Sequence, residues 1–274
     1  MVKSYTEYHN ESYLAGDIDP SVTCLTYLAD RYELNTEQRY WIAFLYGTCY
    51  SATTTFYMYN EFPDYELVDV NRLNQWWKDN KHNLIFQTDR LRIKSNDQFI
   101  ESFVSYRNLC KGSQQRYFNS RSSDEIYNKI LSIKYFGRFT LFNYLDVLNQ
   151  VTDITLKPRY LNMMEAESCR NGLAFAIGRE DLIKENISGN DARLLHNEFI
   201  NTMRSHKGNI FQVETTLCAY KKYRYGKRYV GYYIDRMYNE IKTMEGRVTE
   251  GVAWEVLWQF REETYNKKYL SEYK

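Results

Sequence analysis

Proline and glycine are scarce in this chain, with three prolines and twelve glycines among 274 residues. No Ser/Gly-rich stretch and no charge run of one sign separates two halves. Linkers between domains are usually rich in such residues. We therefore predict one compact domain at 19–274, preceded by an N-terminal extension at 1–18.

Disulfide and metal-ligand patterns are also missing. The five cysteines are odd in number and widely spread, none lies in a CxxC pair, and the four histidines show no HExxH spacing. Reduced thiols fit this pattern best, and a zinc site is not supported. Any metal would have to be held by carboxylates that the fold brings together.

Long apolar runs are absent, since the longest fall far short of the roughly twenty residues that cross a bilayer. The chain does not start with a basic and then apolar leader. These features predict a soluble, cytoplasmic protein that does not enter membranes. P-loop, GxSxG, GxGxxG and helix-turn-helix signatures are missing too, so nucleotide hydrolysis and serine-hydrolase chemistry are unsupported.

What the chain does contain is tyrosine, with 27 residues against 14 phenylalanines, and a local concentration of positive charge. Residues 221–233 hold five cations, five tyrosines and no acid, although the net charge of the whole chain is only +1. Cations attract phosphates and rings stack on bases, so a localised nucleic-acid site is one interpretation. A solvated turn whose tyrosine rings cover the core is the other. The candidate contacts here are Lys221, Lys227, Arg228, Tyr229 and Tyr232.

Helix start signals recur along the chain. Asp19 before Pro20, Asn35 with Gln38, Asp69, and Ser95 with Gln98 resemble N-caps, and the Asn35 helix is predicted to run toward Tyr59 and stop before Pro63. Helical periodicity returns in seven later segments, at 124–133, 138–150, 162–177, 190–206, 210–223, 231–245 and 250–266. Only 84–93 could be extended. We predict an all-α fold of about ten helices.

Polar residues interrupt two of these helical faces. Helical spacing places Glu167, Arg170 and Asn171 together at i, i+3 and i+4. The carboxylate and the guanidinium are either a general base with a phosphate clamp or a structural ion pair. Glu214 precedes Cys218 and Lys221 on one face that leads into the basic segment, where Glu214 is a second candidate base.

Three further charged residues are candidates by position. Arg138 lies among apolar residues, so it needs an anion or a salt-bridge partner. Arg90 lies in a basic segment before a helix start, which suits phosphate binding or an ordinary surface loop. Asp235 follows the tyrosine-rich segment on a helix.

An ordered set of segments resembles the bacteriophage amino acid:DNA transferase family, whose members are also called alpha-glutamyl/putrescinyl thymine pyrophosphorylases. The resemblance spans about 19–245. It is carried by Glu37–Trp41, Tyr59–Asp64, Phe86–Arg90, Tyr135–Phe139, Glu165–Gly172 and Gly226–Asp235.

The resemblance implies a helical, DNA-glycosylase-like protein that hypermodifies thymine in phage DNA. Its substrate would be 5-(pyrophosphoryloxymethyl)uracil in DNA, made by an upstream 5-hydroxymethyluracil DNA kinase, and an amino acid or polyamine would displace pyrophosphate. Cations such as Arg138, Arg170, Lys221 and Arg228 would stabilise the leaving group. Glu167 or Glu214 would be the base, and Tyr229 or Tyr232 would stack on an extruded base.

The sequence establishes no cofactor, although Mg²⁺ bound by pyrophosphate and by an acid such as Asp235 is compatible with this reaction. Two other functions also fit a basic groove. A base-excision glycosylase would release free base without an amine donor, and a non-catalytic phage DNA-binding protein would be indifferent to Glu167 and Glu214.

Overall fold

The structure is a computed structural model that describes residues 2–86, 91–156 and 161–273. Within these ranges every regular element is a helix, which confirms the all-α prediction. Fourteen α-helices are accompanied by short 3₁₀ turns at 180–182, 267–269 and 271–273. The α-helices are α1 (Tyr5–Ala15), α2 (Pro20–Arg31), α3 (Thr36–Cys49), α4 (Ala52–Glu61), α5 (Val70–Asn80), α6 (Asn96–Cys110), α7 (Gln114–Asn119), α8 (Ser123–Ile130), α9 (Arg138–Val151), α10 (Glu167–Ala176), α11 (Gly189–Ser205), α12 (Ile210–Arg224), α13 (Tyr232–Glu245) and α14 (Glu255–Thr264).

Several helix starts follow the predicted caps. Asn35 and Gln38 form a reciprocal capping box at the start of α3, and the Asp69 side chain accepts from the Arg72 amide at the start of α5. Ser95 caps α6 through the Gln98 amide. These bonds join residues three positions apart, so the sequence pattern is sufficient to predict them.

Other helix boundaries differ from the prediction. The helix predicted from Asn35 to Tyr59 is two helices, because Tyr50 takes a left-handed conformation with φ +53° and Ser51 caps α4. Helix α2 does begin at Pro20 as predicted, although Asp19 before it has φ +49°, outside the extended region usual for a cap. Helix α10 begins at Glu167, five residues later than expected. The described parts of 84–93 form no strand, and Gln87–Arg90 lie outside the described residues.

The chain folds into two compact units. One contains Met1–Pro20, Tyr160–Tyr238 and Arg261–Lys274, and the other contains Ser21–Arg159 and Asn239–Phe260. Each unit combines segments that are far apart in the sequence, which no local composition change reveals. The division into an extension at 1–18 and a domain at 19–274 stays a prediction.

Aromatic packing forms the core of the unit that contains Ser21–Arg159. The ring of Phe44 on α3 stacks on Tyr106 of α6, with centroids 4.2 Å apart. Trp41 is completely buried and donates its indole N–H to the carbonyl of Phe62 at 2.7 Å. Large buried rings with satisfied polar atoms contribute strongly to stability.

In the other unit, helices α1 and α10 pack on α12. At the crossing of α10 and α12 the two backbones approach closely. A Cβ atom added at Gly172 would lie 1.9 Å from the carbonyl oxygen of Leu217. Only glycine fits this position, so Gly172 sets the register between the two helices.

None of the helices in the described ranges is long and apolar enough to cross a membrane.

The close crossing predicts a specific loss of stability. We expect Gly172→Ala to lower the free energy of unfolding by about 3 kcal/mol or more, because α10 and α12 must separate to admit the methyl group. Denaturant titration followed by circular dichroism measures this change. Gly189→Ala at the start of α11 is the matched control, since an added Cβ meets nothing within 4 Å. Equal stability of the two variants would contradict the crossing geometry.

Candidate functional site

Ten of the twelve sequence-predicted site residues lie in one unit, on or next to α10, α12 and α13. They are Glu167, Arg170, Asn171, Glu214, Lys221, Lys227, Arg228, Tyr229, Tyr232 and Asp235. Arg138 is in the other unit, as the first residue of α9, and is half-buried. Arg90 lies outside the described residues.

Glu167 is the centre of a polar cluster at the start of α10. Its Oε1 atom lies 3.2 Å from Nζ of Lys221, which comes from α12. Asn171, one turn further along α10, donates its Nδ2 group to the same oxygen at 3.4 Å. The predicted contact of Glu167 with Asn171 is therefore present, and Lys221 joins it from the helix that packs on α10. Glu167 remains exposed, with about half of its side chain (52%) open to solvent.

Arg170 has different surroundings. Its side chain is 1% exposed. Its terminal nitrogens donate to four backbone carbonyls, those of Met163 (3.4 Å), Met164 (3.0 Å), Lys184 (2.6 Å) and Glu185. These partners are neither the carboxylate of an ion pair nor a phosphate. The geometry favours a structural role, in which Arg170 ties two loops to α10.

The second candidate base, Glu214, lies on α12 as predicted. The thiol of Cys218 donates to Oε1 of Glu214 at 3.2 Å, and both residues are half-buried. Glu214, Cys218 and Lys221 share one face of α12 through their spacing. Lys221 itself pairs with Glu167 of α10. The two candidate bases, Glu167 and Glu214, therefore lie on the neighbouring helices α10 and α12.

Asp17 holds the start of α13 and was not predicted from the sequence. Its carboxylate accepts from the backbone amides of Gly231 (2.8 Å), Tyr233 (2.8 Å) and Ile234 (3.0 Å). Burial raises the pKa of Asp17 from 3.8 to about 7, against the opposing effect of these three hydrogen bonds. No local signal could have found this cap, because Asp17 precedes Gly231 by 214 positions.

The first turn of α13 and the residues before it carry the predicted tyrosines. The Tyr229 hydroxyl donates to Oδ2 of Asp235 at 2.6 Å. The guanidinium of Arg228 lies 3.5 Å from the centre of the Tyr232 ring. Tyr229 is 47% exposed, whereas Tyr232 is half-buried and covered by Arg228. Of the two predicted rings, Tyr229 is therefore the more accessible to a nucleic acid.

The turn after α12 exposes the ring of Tyr225 and the ammonium group of Lys227. Tyr225 is 53% exposed, and its ring meets Phe175 edge-on at 5.5 Å. Arg224 pairs with Glu180 at 3.0 Å. Lys227 is exposed and has no ion pair with the described residues. The alternation of rings and cations in 221–233 was the signal for this surface, although it did not distinguish Tyr225 from the other tyrosines.

No group of three or more His, Cys, Asp or Glu side chains is arranged to hold a metal ion in the part of the chain that the structure describes. The cluster of Glu167, Asn171 and Lys221 has one carboxylate, which is a poor set of ligands for Mg²⁺ without substrate oxygens.

Comparison with known proteins places this helical chain among enzymes that act on DNA. A model of the amino acid:DNA transferase family matches residues 14–229, which is most of the chain. A protein of Salmonella phage ViI named serinyltransferase is 28% identical over an alignment of 295 residues that covers 94% of this chain and 70% of the relative.

The chain belongs to the amino acid:DNA transferase family. It is a transferase whose substrates are DNA and an amino acid. The resemblance noted in the sequence is thereby confirmed. A DNA-glycosylase-like arrangement of the helices stays a prediction.

The raised pKa of Asp17 predicts how stability depends on pH. Between pH 3.8 and about 7 the folded protein binds a proton at Asp17 more tightly than the unfolded chain does. The contribution of Asp17 to stability therefore decreases as the pH rises through this window and is flat above it. Asp17→Asn removes this titration. We expect the difference in unfolding free energy between wild type and variant to fall from pH 4 to pH 7 in denaturant titrations. A difference that is constant over this range would contradict the assignment.

Proposed function

We propose that this enzyme joins the amine of an amino acid to the 5-methylene carbon of 5-(pyrophosphoryloxymethyl)uracil in DNA and releases pyrophosphate. The proposal rests on the family membership. The observation in the structure that supports it best is the exposed carboxylate of Glu167 beside the ammonium of Lys221. A carboxylate open to solvent and held by a second helix is suited to proton transfer from a bound substrate.

The reaction is a substitution at carbon. The amine nitrogen forms a bond to the methylene carbon, the carbon–oxygen bond to pyrophosphate breaks, and pyrophosphate leaves with the electron pair. An ammonium group cannot attack until it has lost a proton, and Glu167 is the proposed acceptor. Glu214 is the alternative base, but its oxygen already accepts from Cys218.

The basic turn is the proposed DNA contact. Lys227 is exposed, and Arg228 is fixed by its stacking on Tyr232. Both can attract DNA phosphates and stabilise the charge that develops on leaving pyrophosphate. A base in a duplex must leave the stack before its 5-methylene group is accessible. The exposed rings of Tyr225 and Tyr229 are the proposed stacking partners for the extruded or neighbouring base.

The other substrates follow from the chemistry. The pyrophosphoryl group on the base implies an upstream kinase that acts on 5-hydroxymethyluracil in DNA. The relative from phage ViI is named a serinyltransferase, so serine is the first amino acid to test. Serine carries a hydroxyl as well as an amine, and a test for a free primary amine in the product identifies the attacking atom.

The decisive experiment supplies purified enzyme with DNA that carries 5-(pyrophosphoryloxymethyl)uracil, serine and Mg²⁺, followed by digestion to nucleosides and mass spectrometry. We expect a nucleoside that has gained one serine, together with free pyrophosphate. Glu167→Gln keeps the size of the side chain but removes the base, so product formation should fall by about 10²-fold or more.

Circular dichroism and DNA binding of the Glu167→Gln variant serve as controls for folding. Abasic sites in the wild-type reaction would indicate a glycosylase. DNA that binds but stays unchanged, with the substrate verified, would indicate a binding protein.

Salt dependence tests the DNA contact. Replacing an exposed lysine that neutralises one phosphate reduces the slope of log affinity against log salt by about 1. We expect Lys227→Met to produce this change in fluorescence-anisotropy titrations with duplex DNA. Lys78→Met, an exposed lysine on α5, is the matched control with an unchanged slope. The same slope in both variants would exclude Lys227 from the interface.

A further inference from the structure

The start of α10 lacks a capping side chain. Its N-cap residue is Ala166, which has no side-chain acceptor, and no side chain caps the helix. The first turn of a helix carries partial positive charge and amide donors that favour an anion. Most other helix starts in the described ranges are capped by Ser, Asn or Asp. In α10 the amide of Glu167 donates to the carbonyl of Glu165 at 2.9 Å, and the first turn receives no side-chain cap.

Asn171 supplies a second and independent observation. Its side chain is buried, with 4% of the residue exposed, and its Nδ2 group reaches back to Glu167 in the first turn of α10. Its Oδ1 atom is buried and has no hydrogen-bond partner among the described residues. Leaving such an acceptor unsatisfied lowers the stability of the fold. A ligand that donates to this atom after the amide of Asn171 rotates would remove that cost.

Lys221 completes the arrangement from α12. Its side chain is only 21% exposed, and its ammonium group is held 3.2 Å from Oε1 of Glu167. The cluster therefore presents two acceptors, Glu167 and Oδ1 of Asn171, and two positive features, Lys221 and the start of α10. The crossing at Gly172 holds both helices in this register.

The charges in this cluster discriminate between ligands. A DNA phosphate would meet Lys221 but would be repelled by the carboxylate of Glu167 a few ångströms away. A zwitterion has one charged group of each sign, so its ammonium group can pair with Glu167 and its carboxylate with Lys221. A diamine, which has no carboxylate, would leave Lys221 and the helix start without a partner and add a second positive charge beside them.

We propose that Glu167, Asn171 and Lys221 form the binding site for the α-amino acid co-substrate. The α-ammonium group donates to Glu167 and to Oδ1 of Asn171, and the α-carboxylate accepts from Lys221 and from the first turn of α10. Glu167 then touches the nitrogen that it deprotonates, which makes it a catalytic residue. This assignment rests on the proposed function and replaces a DNA-phosphate role for Lys221 and Asn171. It also selects amino acids over polyamines.

The test separates binding of the amino acid from binding of DNA. Equilibrium dialysis with radiolabelled serine, with and without DNA, measures affinity for wild type, Lys221→Met and Asn171→Ala. We expect each substitution to weaken serine binding about tenfold or more, as the loss of a hydrogen bond to a charged group implies. The salt slope of DNA binding should not change in Lys221→Met. Lys227→Met is the reciprocal control, with normal serine binding and a reduced slope.

Competition by serine analogues tests the two ends of the ligand. Serinamide and ethanolamine lack the carboxylate, and putrescine carries a second ammonium group in place of it. Wild type should prefer serine over all three, and Lys221→Met should lose the preference for serine over serinamide. Thermal unfolding shows whether each variant is folded.

Three results would overturn the assignment. They are the absence of serine binding to wild type in either dialysis, equal affinity of wild type for serine and serinamide, and a reduced DNA salt slope in Lys221→Met with unchanged serine binding. Failure of the proposed reaction is a separate result. In that case wild type would form no serine adduct on the pyrophosphorylated DNA, yet the dialysis would still detect the site.

Discussion

Helices α10 and α12 meet through their backbones at Gly172, where any side chain would collide with the carbonyl of Leu217. This steric constraint determines which residues of the two helices face each other. It brings Lys221 of one helix to Glu167 of the other, although an exposed ion pair alone contributes little stability. The packing energy of the helices therefore holds the polar cluster in place. A site on two rigid helices has a well-defined geometry, which suits proton transfer and the recognition of a small charged substrate.

Two buried charges organise the surroundings of this cluster without belonging to it. Arg170 satisfies four carbonyls in loops at 163–164 and 184–185, and Asp17 satisfies three amides at the start of α13. The terminal nitrogens of Arg170 and the carboxylate of Asp17 are thereby paired, as buried polar groups usually are, whereas Nε of Arg170 is buried with no hydrogen-bond partner among the described residues. Arg170 also shows why residue type and spacing alone are ambiguous. Its position three residues after Glu167 suggests an ion-pair partner or a phosphate ligand. The side chain is instead buried and donates to backbone carbonyls.

The basic, tyrosine-rich segment contains residues with different surroundings. Lys221 pairs with Glu167, Arg224 pairs with Glu180, and Arg228 stacks on Tyr232. Lys227 is left exposed to solvent. A count of charges treats these residues as equivalent donors to DNA. Their neighbours in the fold divide them between internal contacts, the proposed amino-acid site and the proposed DNA surface.

The amino-acid sequence is sufficient to predict the helical class, several helix starts and the family. Caps such as Asn35 with Gln38 act between neighbours in the chain, so their pattern is local and readable. The sequence also placed Glu167 and Asn171 on one helical face. Two contacts come from the packing of distant helices. Lys221 joins this face from 54 positions after Glu167, and Asp17 caps α13 from 214 positions before Gly231. Contacts over such separations depend on how helices pack, because side-chain shape and burial across the whole unit select one arrangement that no short segment encodes.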